Sequence, residues 1–123
     1  MSTAAGDALH DFIRALLPAA DQPGGWRVQV GAWRDGAKST RYCVIKHAGG
    51  LPVELVREPQ FTVSMIGAEG ESIDVPGAAA DSLIEAMRSS SGSLVFLQPA
   101  EPSYFPTADG RHVYEFAVSA IAN

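Results

Sequence analysis

Apolar residues recur at helical spacing in two segments of the chain, and each segment predicts an amphipathic helix. The apolar face of the first predicted helix consists of Ala5, Leu9, Phe12, Ile13, Leu16 and Leu17. That of the second consists of Ala80, Leu83, Ile84 and Met87. The first helix ends at Pro18, because a proline inside a helix removes a hydrogen bond and clashes with the preceding turn. The second begins near Pro76, which suits the first turn of a helix, and ends at the serines of residues 89–91.

Other segments have the patterns that are typical of β-strands. Residues 60–67 alternate most regularly, with Phe61, Val63 and Met65 on one face and polar residues on the other. Residues 41–48 are apolar on both faces at their centre, which is typical of a central strand that is covered on both sides. Further strands are predicted over residues 26–31, 53–58, 93–98 and 111–121.

Turn and loop signals separate these elements. Asp35-Gly36 is a signal for a hairpin turn, and residues 99–109 predict a proline-rich loop. Two helices packed on one face of a mainly antiparallel or mixed sheet of four to six strands would bury both apolar stripes economically. The sequence therefore predicts one domain of the α+β class over residues 1–123, a length that leaves no room for a second core.

The composition is that of a globular protein, with 46% hydrophobic and 19% charged residues. No run of about 18 apolar residues is present, so we expect no membrane partner. The first seven residues lack the basic and apolar regions of a secretory signal, which predicts synthesis in the cytoplasm. Cys43 is the only cysteine, and its apolar neighbours predict a buried, inert thiol.

Charge is distributed unevenly along the chain. The net charge is −5, which argues against broad binding to nucleic acid because such binding requires many cations. Residues 26–57 contain six cations and two carboxylates, for a net charge of +4, so the remainder carries −9. The cations of this window are Arg27, Arg34, Lys38, Arg41, Lys46 and Arg57. The division predicts either a basic face and an acidic face or two solvated surfaces without a partner.

No constellation of residues predicts catalysis, a metal site or a cofactor. The histidines His10, His47 and His112 lack the spacing to one another, to cysteine or to carboxylates that a metal site requires. Ser64 lacks the strained turn that presents a nucleophilic serine. The glycine-containing loop of residues 67–71 carries two acids where a phosphate would lie. We therefore expect a protein that is not an enzyme, with no catalytic residue, no metal and no cofactor.

Two aromatic residues, Tyr104 and Phe105, lie in the predicted proline-rich loop, flanked by Pro99, Pro102 and Pro106. Aromatic residues in such a loop either fold back over the core or form a contact site. On the sequence alone, a loop that covers one end of the sheet and a surface that binds a partner both remain open. Loops of this length in compact domains are usually functional.

The order of these segments resembles that of the tail terminator proteins of long-tailed bacteriophages, and the resemblance covers nearly the whole chain. Its first parts are the helix that ends at Leu16-Leu17-Pro18, the strand Tyr42-Cys43-Val44-Ile45 and the turn Gly49-Gly50. The next are Glu54-Leu55-Val56-Arg57-Glu58-Pro59 and the strand Phe61-Thr62-Val63-Ser64-Met65-Ile66. The last are the alanine-rich helix of residues 78–87 and the run from Asp109-Gly110-Arg111 to Val118.

The resemblance implies a mixed or antiparallel sheet with helices on one face, and assembly into a homohexameric ring. In that family the ring caps the tail tube once its length is reached and joins the tail to the head connector. The partners implied are further copies of the chain, the tail tube protein and the head–tail connector proteins, at the head-proximal end of the virion tail. DNA would pass through the lumen without sequence-specific recognition. The resemblance supplies no catalytic residues.

A ring interface joins one surface of a subunit to a different surface of the next copy. We expect the cations near the predicted hairpin turn to face acids of a neighbouring subunit or of the tube protein, since complementary charge favours register and association rate. The candidate interface residues are Arg34, Lys38, Arg41, Tyr104 and Phe105.

Other functions remain open on the sequence alone. The protein could instead be another phage neck or head-completion protein, or a bacterial cytosolic adaptor or immunity-type protein that binds one partner as a monomer. A small hydrolase or ligand-binding domain would require a deep pocket with convergent polar groups.

Overall fold

Two helices on one face of a mixed β-sheet form the described part of the computed structural model, which covers residues 4–18, 25–31, 39–47, 60–89, 95–107 and 110–122. The elements in chain order are α1 (Ala4–Leu16), β1 (Arg27–Val30), β2 (Tyr42–His47), β3 (Gln60–Ile66), α2 (Asp74–Ser89), β4 (Val95–Pro99), β5 (Ser103–Pro106) and β6 (His112–Ala122). The predicted α+β class is confirmed. Neither described helix combines the length and apolarity needed to cross a bilayer.

The strands lie in the order β1-β2-β3-β6-β4, and β5 also pairs with β6. The β1–β2 pair is parallel, and every other pair is antiparallel. A tight hairpin joins antiparallel strands only, so β1 and β2 are not the two arms of the predicted hairpin. The turn signal Asp35-Gly36 and the predicted strand over residues 53–58 lie outside the described residues.

β4 and β5 lie one after the other along the same edge of β6. β4 pairs from Val95 opposite Ala122 to Pro99 opposite Val118, and β5 pairs from Ser103 opposite Glu115. Three residues separate the two strands, but only two residues of β6 lie opposite them, so a one-residue bulge interrupts the edge. The prediction of a loop over residues 99–109 is therefore wrong for β5. Prolines indicate a loop in the sequence, but they are also compatible with a strand at the edge of a sheet.

The two helices cover one face of the sheet, as the periodicity predicts. The residues that form this core include Leu9 and Ile13 of α1, Leu83 and Met87 of α2, and Cys43, Ile45, Phe61, Val63, Met65, Phe116 and Val118 of the sheet. Leu17 also packs against this core, whereas Leu16 is exposed, so its predicted position on the buried face is wrong. The reason is that Leu16 is the last residue of α1, so no further helical turn packs beside it.

The opposite face of the central strands is also buried. Tyr42, Val44, Ile66 and Val113 form a second cluster, which confirms that β2 is covered on both faces. Arg111 is fully buried beside this cluster, and its guanidinium lies 5.3 Å from the centre of the Tyr42 ring.

Arg111 also joins segments that are distant in sequence. Its Nε donates to the Gly67 carbonyl (3.0 Å) and its Nη2 donates to the Thr40 carbonyl (2.7 Å). A buried cation requires such acceptors, because the loss of water is otherwise very costly. Arg111 thereby connects the start of β6 to the end of β3, through Gly67, and to the segment before β2, through Thr40.

Helix α2 lies close to the Tyr114 ring of β6 at Gly77. A Cβ atom at this position would lie 3.2 Å from the Cε2 and Cζ atoms of the Tyr114 ring. Ala78, the next residue, is exposed. The absence of a side chain at Gly77 therefore sets the distance between α2 and β6.

We predict that Gly77→Leu destabilises the protein by about 2 kcal/mol, because the new side chain must displace the Tyr114 ring or the helix. Ala78→Leu is the matched control, since it adds a side chain of the same kind to the exposed side of α2, and we expect it to change the free energy of unfolding by less than about 0.5 kcal/mol. Urea denaturation followed by circular dichroism measures both. Equal effects of the two substitutions would contradict the assigned contact.

Burial raises the pKa of the Cys43 thiol to about 12. The thiolate is the reactive form, so at pH 8 the folded protein should react with iodoacetamide far more slowly than the urea-unfolded protein. We expect a difference of at least about 100-fold, measured by mass spectrometry of the alkylated chain. Alkylation of the native protein at the rate of the unfolded chain would show that the thiol is accessible.

Candidate functional site

The exposed strand β5 is the strongest candidate for an interaction surface. All four of its residues are exposed, and the side chains of Tyr104 and Phe105 each retain 42% of their accessible surface. Tyr104 lies opposite Tyr114 on the helix-covered face of the sheet, and Phe105 lies opposite Val113 on the other face. We call residues 103–106 the aromatic edge. Its exposure favours the contact site over a loop that covers the core.

Tyr104 is held in place although it is exposed. A hydrogen bond of 2.7 Å joins its hydroxyl to Nδ1 of His112, and its ring centre lies 5.2 Å from that of Tyr114. Tyr104 and Tyr114 form a pair whose backbones do not hydrogen-bond to each other, and side chains approach most closely at such pairs. A fixed aromatic side chain loses little conformational entropy when a partner binds.

Two prolines of this region, Pro99 and Pro106, lie at positions whose backbone faces away from β6. The Thr107 N–H donates to the Arg111 carbonyl, so by alternation the backbone groups of Tyr104 and Pro106 point outward. In the same way, the bond from the Ala100 N–H to Ala117 directs Pro99 outward. Proline has no N–H, so the edge resists the addition of another strand, and a partner would bind mainly through side chains.

Charges of opposite sign lie at the two edges of the sheet. Residues 95–107 carry a single charged residue, Glu101, whose side chain is 87% exposed and lies 3.4 Å from Arg88. At the opposite edge, β1 and β2 carry exposed Arg27 and Lys46 and no carboxylate. The arrangement gives each subunit a basic edge at β1 and β2, and an edge at β4 and β5 whose one carboxylate, that of Glu101, is paired with Arg88.

Two of the predicted interface cations, Arg34 and Lys38, lie outside the described residues. The third, Arg41, forms an ion pair within the chain. Its Nε lies 2.9 Å from each carboxylate oxygen of Glu71, its Nη2 also donates to Glu71, and its guanidinium lies 5.9 Å from the centre of the Trp26 ring. A role for Arg41 at an interface stays a prediction, but its principal contact links β2 to the loop before α2.

The ion pair shifts both titrations. The hydrogen bonds from Arg41 lower the pKa of the Glu71 carboxyl below its ordinary value of 4.5, with a further contribution from the Ala68 N–H, and partial burial opposes the shift. Hydrogen bonding to Glu71 raises the pKa of Arg41. The pattern of the loop gives no sign of this pair, because Arg41 lies 30 residues from Glu71 in the chain.

The residues considered for catalysis have structural contacts instead. Ser64 donates from its hydroxyl to Glu115 on the neighbouring strand (2.7 Å), and His10 Nδ1 lies 3.7 Å from Asp11. Within the described ranges, no three His, Cys, Asp or Glu residues lie together as a metal site would need. The Ser64–Glu115 bond therefore joins β3 to β6, and the His10–Asp11 contact stays within α1.

A group whose pKa is depressed by folding stabilises the protein above its unfolded pKa, and this contribution disappears as the pH falls through the folded pKa. We therefore expect the wild-type protein to lose part of its stability below about pH 4.5 through protonation of Glu71. Glu71→Gln should cost about 1 kcal/mol at pH 7 and show a flatter dependence of unfolding free energy on pH in the acid range. Glu69→Gln, in the same loop and exposed, is the control. Identical pH profiles for wild type and Glu71→Gln would contradict the role of the pair.

No curated protein matches the sequence. The family model described as phage tail termination protein matches residues 7–123, which is nearly the whole chain and includes most of α1, all of α2 and the six described strands. The match bears out the resemblance noted in the sequence. The chain therefore belongs to the family of phage tail termination proteins, whose place is in the tail of the virion, in contact with other virion proteins.

Proposed function

We propose that the chain is the subunit of a homohexameric ring that caps the tail tube, ends its polymerisation and joins the tail to the head connector. The observation that carries this proposal is the family match over residues 7–123. The ring stands at the head-proximal end of the tail and contacts the tail tube protein on one side and the head–tail connector proteins on the other. DNA passes through its lumen.

The distribution of surface features supports assembly into a ring. A closed ring of identical subunits requires that two different surfaces of one subunit fit each other. The aromatic edge and the basic edge are two such surfaces, at opposite sides of one sheet. The sheet and the helices that cover it provide a rigid frame on which both surfaces keep a fixed separation.

The described contacts also support a structural role without bond-making chemistry. Ser64 and Glu71 are each engaged by a neighbouring side chain, and burial keeps the Cys43 thiol in its unreactive form. The protein acts through the shape and charge of its outer surfaces. A different neck or head-completion role, or that of a bacterial adaptor, has no observation of its own in its favour.

We expect phage that lack this protein to produce tail tubes of uncontrolled length, because nothing ends the polymerisation at the final ring. Electron microscopy of lysates measures the distribution of tube lengths. In the complementary experiment, the purified protein is added to tube protein that is polymerising on a tail initiator, and it should bind at the growing end and stop elongation.

Labelling of the protein in complete virions checks its location independently. Label at the junction of head and tail is expected. Tubes of normal length in its absence, together with label elsewhere on the particle, would refute the capping function. Persistent binding of one copy to one partner molecule would favour the adaptor.

A further inference from the structure

We infer that the aromatic edge of one copy of this chain receives the β1 edge of a second copy. This inference rests on the proposed ring and names the two surfaces that meet in it. The β1 edge is the basic edge described above, and it consists of Arg27 and Val30 of β1 and the neighbouring Lys46 of β2. The contact is made mainly by side chains, because Pro106 has no N–H and Tyr104 is then the one residue of 103–106 whose N–H points outward.

Both surfaces expose apolar side chains on the same face of the sheet. Val30 retains 57% of its accessible surface, and it follows Val28 on the helix-covered side. Tyr104 lies on that same side, fixed by His112 and Tyr114. When the axis that relates the subunits of a ring runs roughly along the strands, the same face of each sheet points outward, so Val30 of one copy comes to the side on which Tyr104 of the next lies.

Charge complements this apolar contact. Arg27 is exposed on the face opposite to Val30, where Phe105 of a second copy also lies, and a guanidinium packs favourably on an aromatic ring. Glu101 takes no part in this contact, because it pairs with Arg88 of α2 on the helix-covered side of its own subunit, whereas Arg27 lies on the other face.

The strand directions are compatible with this contact. β1 and β2 run in one direction, β3 in the opposite direction, β6 in the direction of β1, and β5 again opposite. When copies are related by an axis roughly along the strands, β5 of one copy therefore lies antiparallel to β1 of the next. Because the two surfaces differ, the contact can repeat around an axis and close into a ring.

The test is a change of the cation that faces Phe105 of the next copy. Arg27→Glu removes the guanidinium from the aromatic ring, and we expect it to weaken self-association about tenfold. Arg27→Lys keeps the charge but loses the planar stacking, and we expect it to weaken self-association less than Arg27→Glu does. Sedimentation velocity over a range of concentrations, alone and in the presence of tail tubes, measures the association. Arg14→Glu on the exposed side of α1 is the control for change of net charge.

The apolar part of the contact is tested by Tyr104→Ser and Phe105→Ser, with Ile73→Ser as a control that also removes an exposed apolar side chain. We expect losses of about tenfold or more for the two aromatic substitutions and little change for the control. Circular dichroism confirms that each variant is folded, since all three side chains are partly exposed.

The outcomes separate this inference from the proposed function. If the protein assembles and caps tubes but the Arg27, Tyr104 and Phe105 variants all behave as wild type, the ring stands and this contact is wrong. If the aromatic substitutions weaken binding to tube protein and leave self-association unchanged, the aromatic edge binds the tube instead, and the inference is also wrong. If no self-association occurs at any concentration, with or without tubes, both the contact and the ring are wrong.

Discussion

The pairing of β6 with three other strands is the constraint on which the rest of the structure depends. This strand of 11 residues pairs with β3 along one edge and with β4 and β5 along the other. Its apolar residues Phe116 and Val118 lie under the helices, and Val113 belongs to the second cluster on the opposite face. Because so many hydrogen bonds and apolar contacts converge on one strand, the helices, the buried Arg111 and the outer edge all take their positions from it.

The same constraint explains why the candidate site is both exposed and ordered. β4 occupies only part of the free edge of β6, and the bulge after Pro99 lets the chain continue along the remainder as β5. Among the described strands, β5 pairs with β6 alone, and all four of its residues are exposed, so Tyr104 and Phe105 contribute little to the core. Tyr104 is nevertheless fixed by His112 and Tyr114. An aromatic surface of this kind is suited to a partner and has no evident use in the isolated domain.

The polar side chains serve mainly to connect segments that are distant in sequence. Arg111 joins the ends of β3 and β6 to Thr40, and the pair of Arg41 with Glu71 joins the start of β2 to the loop before α2. Together they stabilise one end of the sheet, close to the aromatic edge. A protein that acts as a part of a tail requires such rigidity, since its surfaces must hold a fixed separation for assembly.

The sequence by itself determined the helices, the regular strands and the face that each buries, because their apolar periodicity is local. The buried residues lie where the pattern places them, as in β3 (Phe61, Val63 and Met65) and in α2 (Leu83 and Met87). It also carried the family resemblance through the order of its elements. Only the tertiary structure decided that β1 and β2 are parallel, that residues 103–106 form a strand and that Arg41 and Arg111 have partners far along the chain. The physical reason is that each of these features depends on a segment distant in sequence. A proline weakens the local signal for a strand, even at an edge position where an N–H would point away from the sheet and its absence removes no hydrogen bond. A charged residue gives no indication of the carboxylate or carbonyl that folding brings beside it.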